Sequence, residues 1–180
     1  MRAHSSPYWA VVATALILVA ATVMADQTPT PMQAQTPGCD APEYRQFDFW
    51  IGKWVVSEGG QTAGSNQIES DLKGCALFES WTAVDGSRGR SVNFYDRAVR
   101  RWHQSWVDDR GGVLELDGNL ANGSMVLEGQ RVDPKSGQSV RHRIVWTPNA
   151  DGSVRQHWQT SKAPQGTWET VFDGLYRRSP

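Results

Sequence analysis

A carboxylate set among tryptophans is the feature of this sequence best suited to chemistry. Glu79 stands two residues before Trp81, and the same alternation of polar and aromatic residues recurs further along. It appears in Ser91, Asn93 and Tyr95, in Trp102, Gln104 and Trp106, and in Gln156 and Trp158. Aromatic walls broken by a few hydrogen-bonding groups make a small-molecule pocket, where stacking supplies affinity and the polar groups fix orientation. Glu79 has two readings. It is an acid or base tuned by a dry pocket, or half of a structural ion pair with Arg143 or Arg155. The remaining reactive groups form no recognisable machinery. Ser91 and Ser105 lack a G-x-S-x-G setting. His103, His142 and His157 share no metal-ligand spacing, and neither Cys39 nor Cys75 has a partner at zinc spacing. No metal site and no catalytic residue is therefore assigned.

These side chains converge only if the segments carrying them are neighbouring strands. Ten runs read as strands: 50–58, 64–72, 75–84, 90–96, 101–108, 112–118, 124–132, 139–147, 153–161 and 167–177. Turn chemistry separates them, including Glu58-Gly59-Gly60, Asp85-Gly86, Asn122-Gly123, Asn149-Ala150-Asp151-Gly152 and Pro164-Gln165-Gly166. Loops this short forbid parallel crossovers, so successive strands are antiparallel neighbours. A meander of about ten strands closes into an up-and-down barrel or splits into a two-sheet sandwich, and closure alone removes the exposed edges. The expectation is an all-β antiparallel barrel over 43–180, with a short helical turn at 42–48.

Period two then assigns faces. Glu79 shares one with Trp81, Asn93 with Ser91 and Tyr95, Gln104 with Trp102 and Trp106, and Gln156 with Trp158. A solvated outer face would carry more Lys and Glu than Trp, so the mixed face is expected to line the interior, while Trp54 is expected to fill core space. A slip of one residue would invert the assignment.

The chain has a formal net charge of −1, and its longest basic blocks are the pairs Arg100-Arg101 and Arg177-Arg178. That excludes an electrostatic footprint for nucleic acid. Residues 1–25 read as an export signal: Arg2, an uncharged apolar run from Trp9 to Val23, then Val23-Met24-Ala25 for cleavage. The run is shorter than the roughly 20 residues of a membrane span, so no membrane association is expected after cleavage. Residues 26–42, rich in Pro, Gln and Thr, form a leader. In an exported chain Cys39 and Cys75 read first as a disulfide, with two free thiols as the alternative.

Several blocks also resemble a family of exported bacterial proteins that share a domain of unknown function. They are Phe47-Asp48-Phe49-Trp50-Ile51-Gly52-Lys53-Trp54, Gly74-Cys75-Ala76-Leu77-Phe78-Glu79-Ser80-Trp81, Ser91-Val92-Asn93-Phe94-Tyr95-Asp96 and Trp102-His103-Gln104-Ser105-Trp106-Val107-Asp108. Val154-Arg155-Gln156 and Asp173-Gly174-Leu175-Tyr176-Arg177 follow in order. The resemblance implies a calycin-like barrel, similar to lipocalins, fatty-acid-binding proteins and nitrobindins, and it implies no reaction. Nitrobindin-like barrels hold haem through a histidine. None of His103, His142 and His157 is aligned onto that ligand, so no cofactor is assigned and haem is the lesser alternative.

The leading reading is a periplasmic or secreted barrel for a small, partly aromatic or heterocyclic ligand. The alternatives are a lyase or isomerase on the same barrel, using Glu79 with Tyr95 or an arginine opposite, and an envelope structural or interaction module with a filled core. An interior above a few hundred Å³ distinguishes a ligand barrel from a filled module.

Overall fold

A computed structural model describes residues 38–162 and 166–180. The signal at 1–25, most of the leader, and Pro164 and Gln165 of the last turn lie outside the described residues. Ten strands alternate along the chain: β1 Gly52–Glu58, β2 Gln61–Asp71, β3 Ala76–Ala83, β4 Arg88–Asp96, β5 Arg101–Asp108, β6 Val113–Ala121, β7 Ser124–Val132, β8 Ser139–Pro148, β9 Val154–Lys162 and β10 Glu169–Arg178. Each pairs antiparallel with its sequence neighbours, and β1 pairs with β10 from Trp54↔Arg178 to Glu58↔Gly174. The sheet is thereby a closed barrel, and no backbone edge is left for another chain to extend.

Local chemistry sets the strand limits. Asn122 and Gly123 both have positive φ (50° and 78°), and Ala121 pairs with Ser124 across them. This two-residue turn matches the twist of its flanking strands and carries β6 past residue 118 to Ala121. β1 starts at Gly52, two residues later than expected, because Asp48–Trp50 forms a 3₁₀ turn. A second such turn covers Pro42–Arg45, with its proline in the first turn, where a missing N–H costs nothing.

These two turns close the end of the barrel where β1 begins and β10 ends. Phe47 and Trp50 are fully buried there. Phe47 stacks on Trp50 at 5.0 Å and meets Trp102 and Trp146 edge-on. Trp54 Nε1 donates to Trp50 O at 2.9 Å, tying the turn to β1. The Gly-x-Trp spacing has a steric reason. Arg178 lies over the Trp54 ring at 4.0 Å, and a Cβ on Gly52, whose φ is 143°, would sit 1.8 Å from its Nη1. Trp54 thus has the core role expected of it. Cys39 and Cys75 form a disulfide that fastens the segment before the plug to the start of β3.

Candidate functional site

The opposite end of the barrel, where β3, β5 and β9 finish and β4, β8 and β10 begin, holds a cavity of about 210 Å³. Six strands contribute to its lining: Glu79 and Trp81 of β3, Gln104 and Trp106 of β5, Leu114 of β6, Ile144 of β8, Gln156 and Trp158 of β9, and Val171, Phe172 and Tyr176 of β10, where an irregularity in the ladder lets the adjacent Val171 and Phe172 both reach it. On β5 the face carrying Trp102 and Gln104 is buried and Trp106 is half-buried, while Val107 on the other face is 52% exposed. The mixed polar and aromatic face therefore points inward.

Three of the aromatic walls lie across glycines. A Cβ on Gly64 would meet Trp81 Cη2 at 2.7 Å, one on Gly89 would meet Trp106 Cζ2 at 1.9 Å, and one on Gly174 would meet Phe172 Cε1 at 2.4 Å. Each missing side chain frees the space its neighbouring ring occupies. The rings are thereby laid along the wall, and the centre stays open. Phe172 also pairs across the ladder with Trp158 and meets Trp81 edge-on at 6.3 Å. Trp158 Nε1 donates to His142 Nδ1 at 3.2 Å. Burial holds the His142 imidazole below its usual pKa, and Arg131 adds to this. Neutral His142 therefore keeps its acceptor and orients the indole.

Beneath the rings, a chain of hydrogen bonds ends on Glu79. Gln104 Nε2 donates to Asn93 Oδ1 (2.9 Å), Asn93 Nδ2 to Ser91 Oγ (2.9 Å), and Ser91 Oγ to Glu79 Oε2 (2.6 Å). From the other side Asn66 Nδ2 donates to Glu79 Oε1 at 2.7 Å and to the Tyr176 hydroxyl at 3.3 Å. That hydroxyl in turn donates to Gln156 Oε1. Among the described residues nothing donates to Gln104 Oε1 and nothing accepts from Gln156 Nε2, so one acceptor and one donor on the cavity lining remain unpaired.

Glu79 is 5% exposed. Burial pushes its pKa up to about 7, against the hydrogen bonds from Ser91 and Asn66 and the distant charge of Arg90, which favour the carboxylate. The ion pair expected with Arg143 or Arg155 does not form. Arg155 is spent on Asp173 through two hydrogen bonds of 2.6 and 2.7 Å. Arg143 donates to Gln159 and stacks over Trp168 at 4.2 Å. Both arginines lie at odd positions of β8 and β9, and the interior takes the even ones, Ile144, Trp146, Gln156 and Trp158. The amide and hydroxyl partners of Glu79 leave its charge uncompensated.

The ten expected site residues divide by depth. Glu79, Trp81, Gln104, Trp106, Gln156 and Trp158 line the cavity, with Ser91 and Asn93 behind them as links to Glu79. Trp102 and Tyr95 stand at the plugged end, Trp102 edge-on to Phe47 and Tyr95 against Tyr44. Tyr95 borders a different hollow there, of about 390 Å³, with Tyr44, Arg97 and Arg100. The acid–base reading therefore finds no Tyr95 opposite Glu79; the hydroxyl in that neighbourhood is Tyr176. Asn66, Tyr176 and Phe172 are the residues at the cavity and around Glu79 that the face reading did not name. Period two along β2 and β10, extended from Gly64 and Gly174, places all three on the inner face.

The histidines have separate partners. His103 stacks on Phe94 at 5.1 Å and contacts Asp117 at 2.5 Å, and His157 Nε2 meets the Thr170 hydroxyl at 2.9 Å. Among the described residues no three His, Cys, Asp or Glu side chains come together as a metal site would need. In comparisons with known proteins, no family model and no curated protein matches the chain.

Proposed function

We propose that this protein is an exported binding barrel for a small aromatic or heterocyclic molecule held at the open end. The observation that carries the reading is the aromatic-walled cavity with a few convergent polar groups at its base. Its volume of about 210 Å³ exceeds the roughly 150 Å³ of a dry cavity that holds benzene. It falls below the roughly 300–1,000 Å³ of pockets for drug-sized ligands. The fit is to one substituted ring or two fused rings. Gln104 Oε1 and Gln156 Nε2 would supply one accepted and one donated hydrogen bond. At about 210 Å³ the cavity does not pass the few hundred Å³ that would by size alone set a ligand barrel apart from a filled module, so the reading is supported by its lining and not by its volume. Export is supported by the N-terminal signal pattern and by the disulfide, which persists in oxidising compartments.

Titrating the protein with a panel of one- and two-ring heteroaromatics, read by tryptophan fluorescence and native mass spectrometry, tests the reading. Saturable quenching by at least one member, weakened at least ten-fold in Trp106→Ala, is expected. Silence across the panel, with no co-purifying mass in protein from its own host, refutes it. An acid–base enzyme on the same barrel has one observation in its favour, the Glu79 carboxyl poised near neutral pH in the cavity. Turnover of a bound compound that disappears in Glu79→Gln while binding persists would establish it.

A further inference from the structure

We propose that the occupant is an organic cation, a protonated or quaternary nitrogen on a small ring compound, with Glu79 as its counter-ion. The inference rests on the ligand-binding reading above and names the chemistry of that ligand. Among the described residues Glu79 is the one acidic side chain on the cavity lining, and no described arginine, lysine or histidine shares the lining with it. Asn66 and Ser91 each fill one acceptor site, one per oxygen, of the roughly four that a carboxylate offers. Two sites are left for a ligand. Asn66 and Ser91 donate to the carboxylate, and the relay from Gln104 through Asn93 to Ser91 runs toward it, while Tyr176 donates away to Gln156. Among the described residues the barrel has thus set dipoles beside a negative charge and put no positive one on the lining. Arg90, the cation nearest in effect, spends its guanidinium on the carbonyls of Trp81 and Gly89.

The walls suit the same guest. Trp81, Trp106, Trp158 and Phe172 surround the space next to the carboxylate, and the faces of such rings attract ammonium groups. A neutral guest would leave the buried charge uncompensated. An anion would meet a like charge in a medium of low dielectric. A cation completes a pair whose desolvation the fold has already taken on.

The pairing makes binding sensitive to pH. Burial raises the Glu79 carboxyl to about 7, and a cation beside it favours the ionised form, so binding expels a proton and tightens as pH rises. The groups facing Glu79 are Asn66 from β2, Ser91 from β4 and Tyr176 from β10, with Arg90 behind on β4. Tyr176 is raised further above its usual value and stays protonated throughout. His142 on β8, held below its usual value, protonates at lower pH than Glu79 and then loses its acceptor for Trp158. Both changes weaken cation binding on acidification.

The test titrates the full chain calorimetrically with benzyltrimethylammonium, benzyl alcohol and benzoate at pH 6 and pH 8. The cation should bind at least ten-fold more tightly than the alcohol at pH 8, and benzoate should not bind. A group titrating near 7 makes the cation's affinity about ten-fold weaker at pH 6 than at pH 8. Repeating the cation titration in buffers of different ionisation enthalpy should report a released proton at pH 6. Glu79→Gln should erase both the preference for cation over alcohol and the pH dependence. If that variant does not fold, the wild-type pH comparison and the proton count decide. Alcohol binding as tight as the cation at both pH values overturns the cationic assignment and leaves the ligand-binding reading standing. Binding from the heteroaromatic panel with none from benzyltrimethylammonium does the same. Silence from both sets overturns both.

Discussion

A buried carboxyl without a counter-charge must weaken the fold as it ionises, and the size of that effect follows from the site. Glu79 has an ordinary carboxyl value of 4.5 when the chain is unfolded and one of about 7 in the barrel. The folded state holds the proton more tightly, so stability is fully present below pH 4.5 and is lost as pH rises to about 7. At about 1.4 kcal/mol per unit the loss is about 3 kcal/mol. For a domain of this size that corresponds to a melting temperature lower by about 6–12 °C at pH 8 than at pH 4.5, other groups being equal. Other groups are not equal. His142, held low by burial, contributes stability that disappears as pH falls below its unfolded value, and so masks part of the trend in the wild type. The isolating measurement is therefore a difference. Urea unfolding of wild type and Glu79→Gln, followed in parallel at pH 5, 6, 7 and 8, subtracts every shared titration. The amide can still accept from Asn66 and can donate to Ser91 Oγ. The variant should lose ground at pH 5 and recover about 2–3 kcal/mol relative to wild type by pH 8. Parallel curves across this range would refute the claim that Glu79 is buried and uncompensated.

Three further outcomes follow from other parts of the barrel. Gly89→Ala places a Cβ 1.9 Å from Trp106 Cζ2. It should displace that ring, cost about 1–3 kcal/mol by overpacking, and weaken ligand binding; unchanged affinity and stability would mean the indole does not rest on Gly89. Reducing the Cys39–Cys75 bridge, which spans 36 positions, should lower stability by about 4 kcal/mol in the chain-entropy account, read as a shift in urea midpoint with and without reductant. Phe47→Ala opens a void among Trp50, Trp102 and Trp146. It should cost about 3–5 kcal/mol in unfolding experiments while the folded fraction keeps its affinity at the far end.

The strands were legible because each ends in chemistry that turns the chain. β5 and β7 coincide with the expected 101–108 and 124–132, and the hairpin residues of Asn122-Gly123 explain why β6 runs longer than its apolar pattern. The inward face was readable from its excess of tryptophan, and six of the ten expected residues line one cavity. Depth along the barrel was not readable. Trp102 and Trp106 share a strand face and a period, yet one packs under the plug and the other borders the opening, because position along the strand decides which end a side chain reaches. Tyr95 went with the plug for the same reason. The ion pair with Arg143 or Arg155 failed on parity. Both arginines stand at odd positions, and the same period-two reading that puts Gln156 and Trp158 inside turns Arg155 outward, so the pairing was at odds with the face assignment on the strand itself. Asn66 reaches Glu79 across the β2–β3 ladder, whereas Tyr176 of β10 comes beside them only once β10 has paired with β1 and closed the sheet.

The two ends of the barrel divide the work that one core would otherwise share. The plug gathers Phe47, Trp50, Trp54, Trp102 and Trp146 into full burial and is pinned by the disulfide next to it, so most of the aromatic area that drives folding lies there. That surplus lets the other end keep properties a stability argument disfavours: half-exposed indoles, glycines where side chains could have packed, and an ionisable group drawn from water without a partner. At neutral pH and above, a carboxyl placed only for folding would be outdone by an amide, which accepts from Asn66, donates to Ser91 Oγ and carries no charge to bury. The costs at Glu79, Gly64, Gly89 and Gly174 fall around one cavity, and local penalties concentrated this way are characteristic of sites kept for binding. If the cost at Glu79 is recovered anywhere, it is recovered when a positive charge enters the mouth.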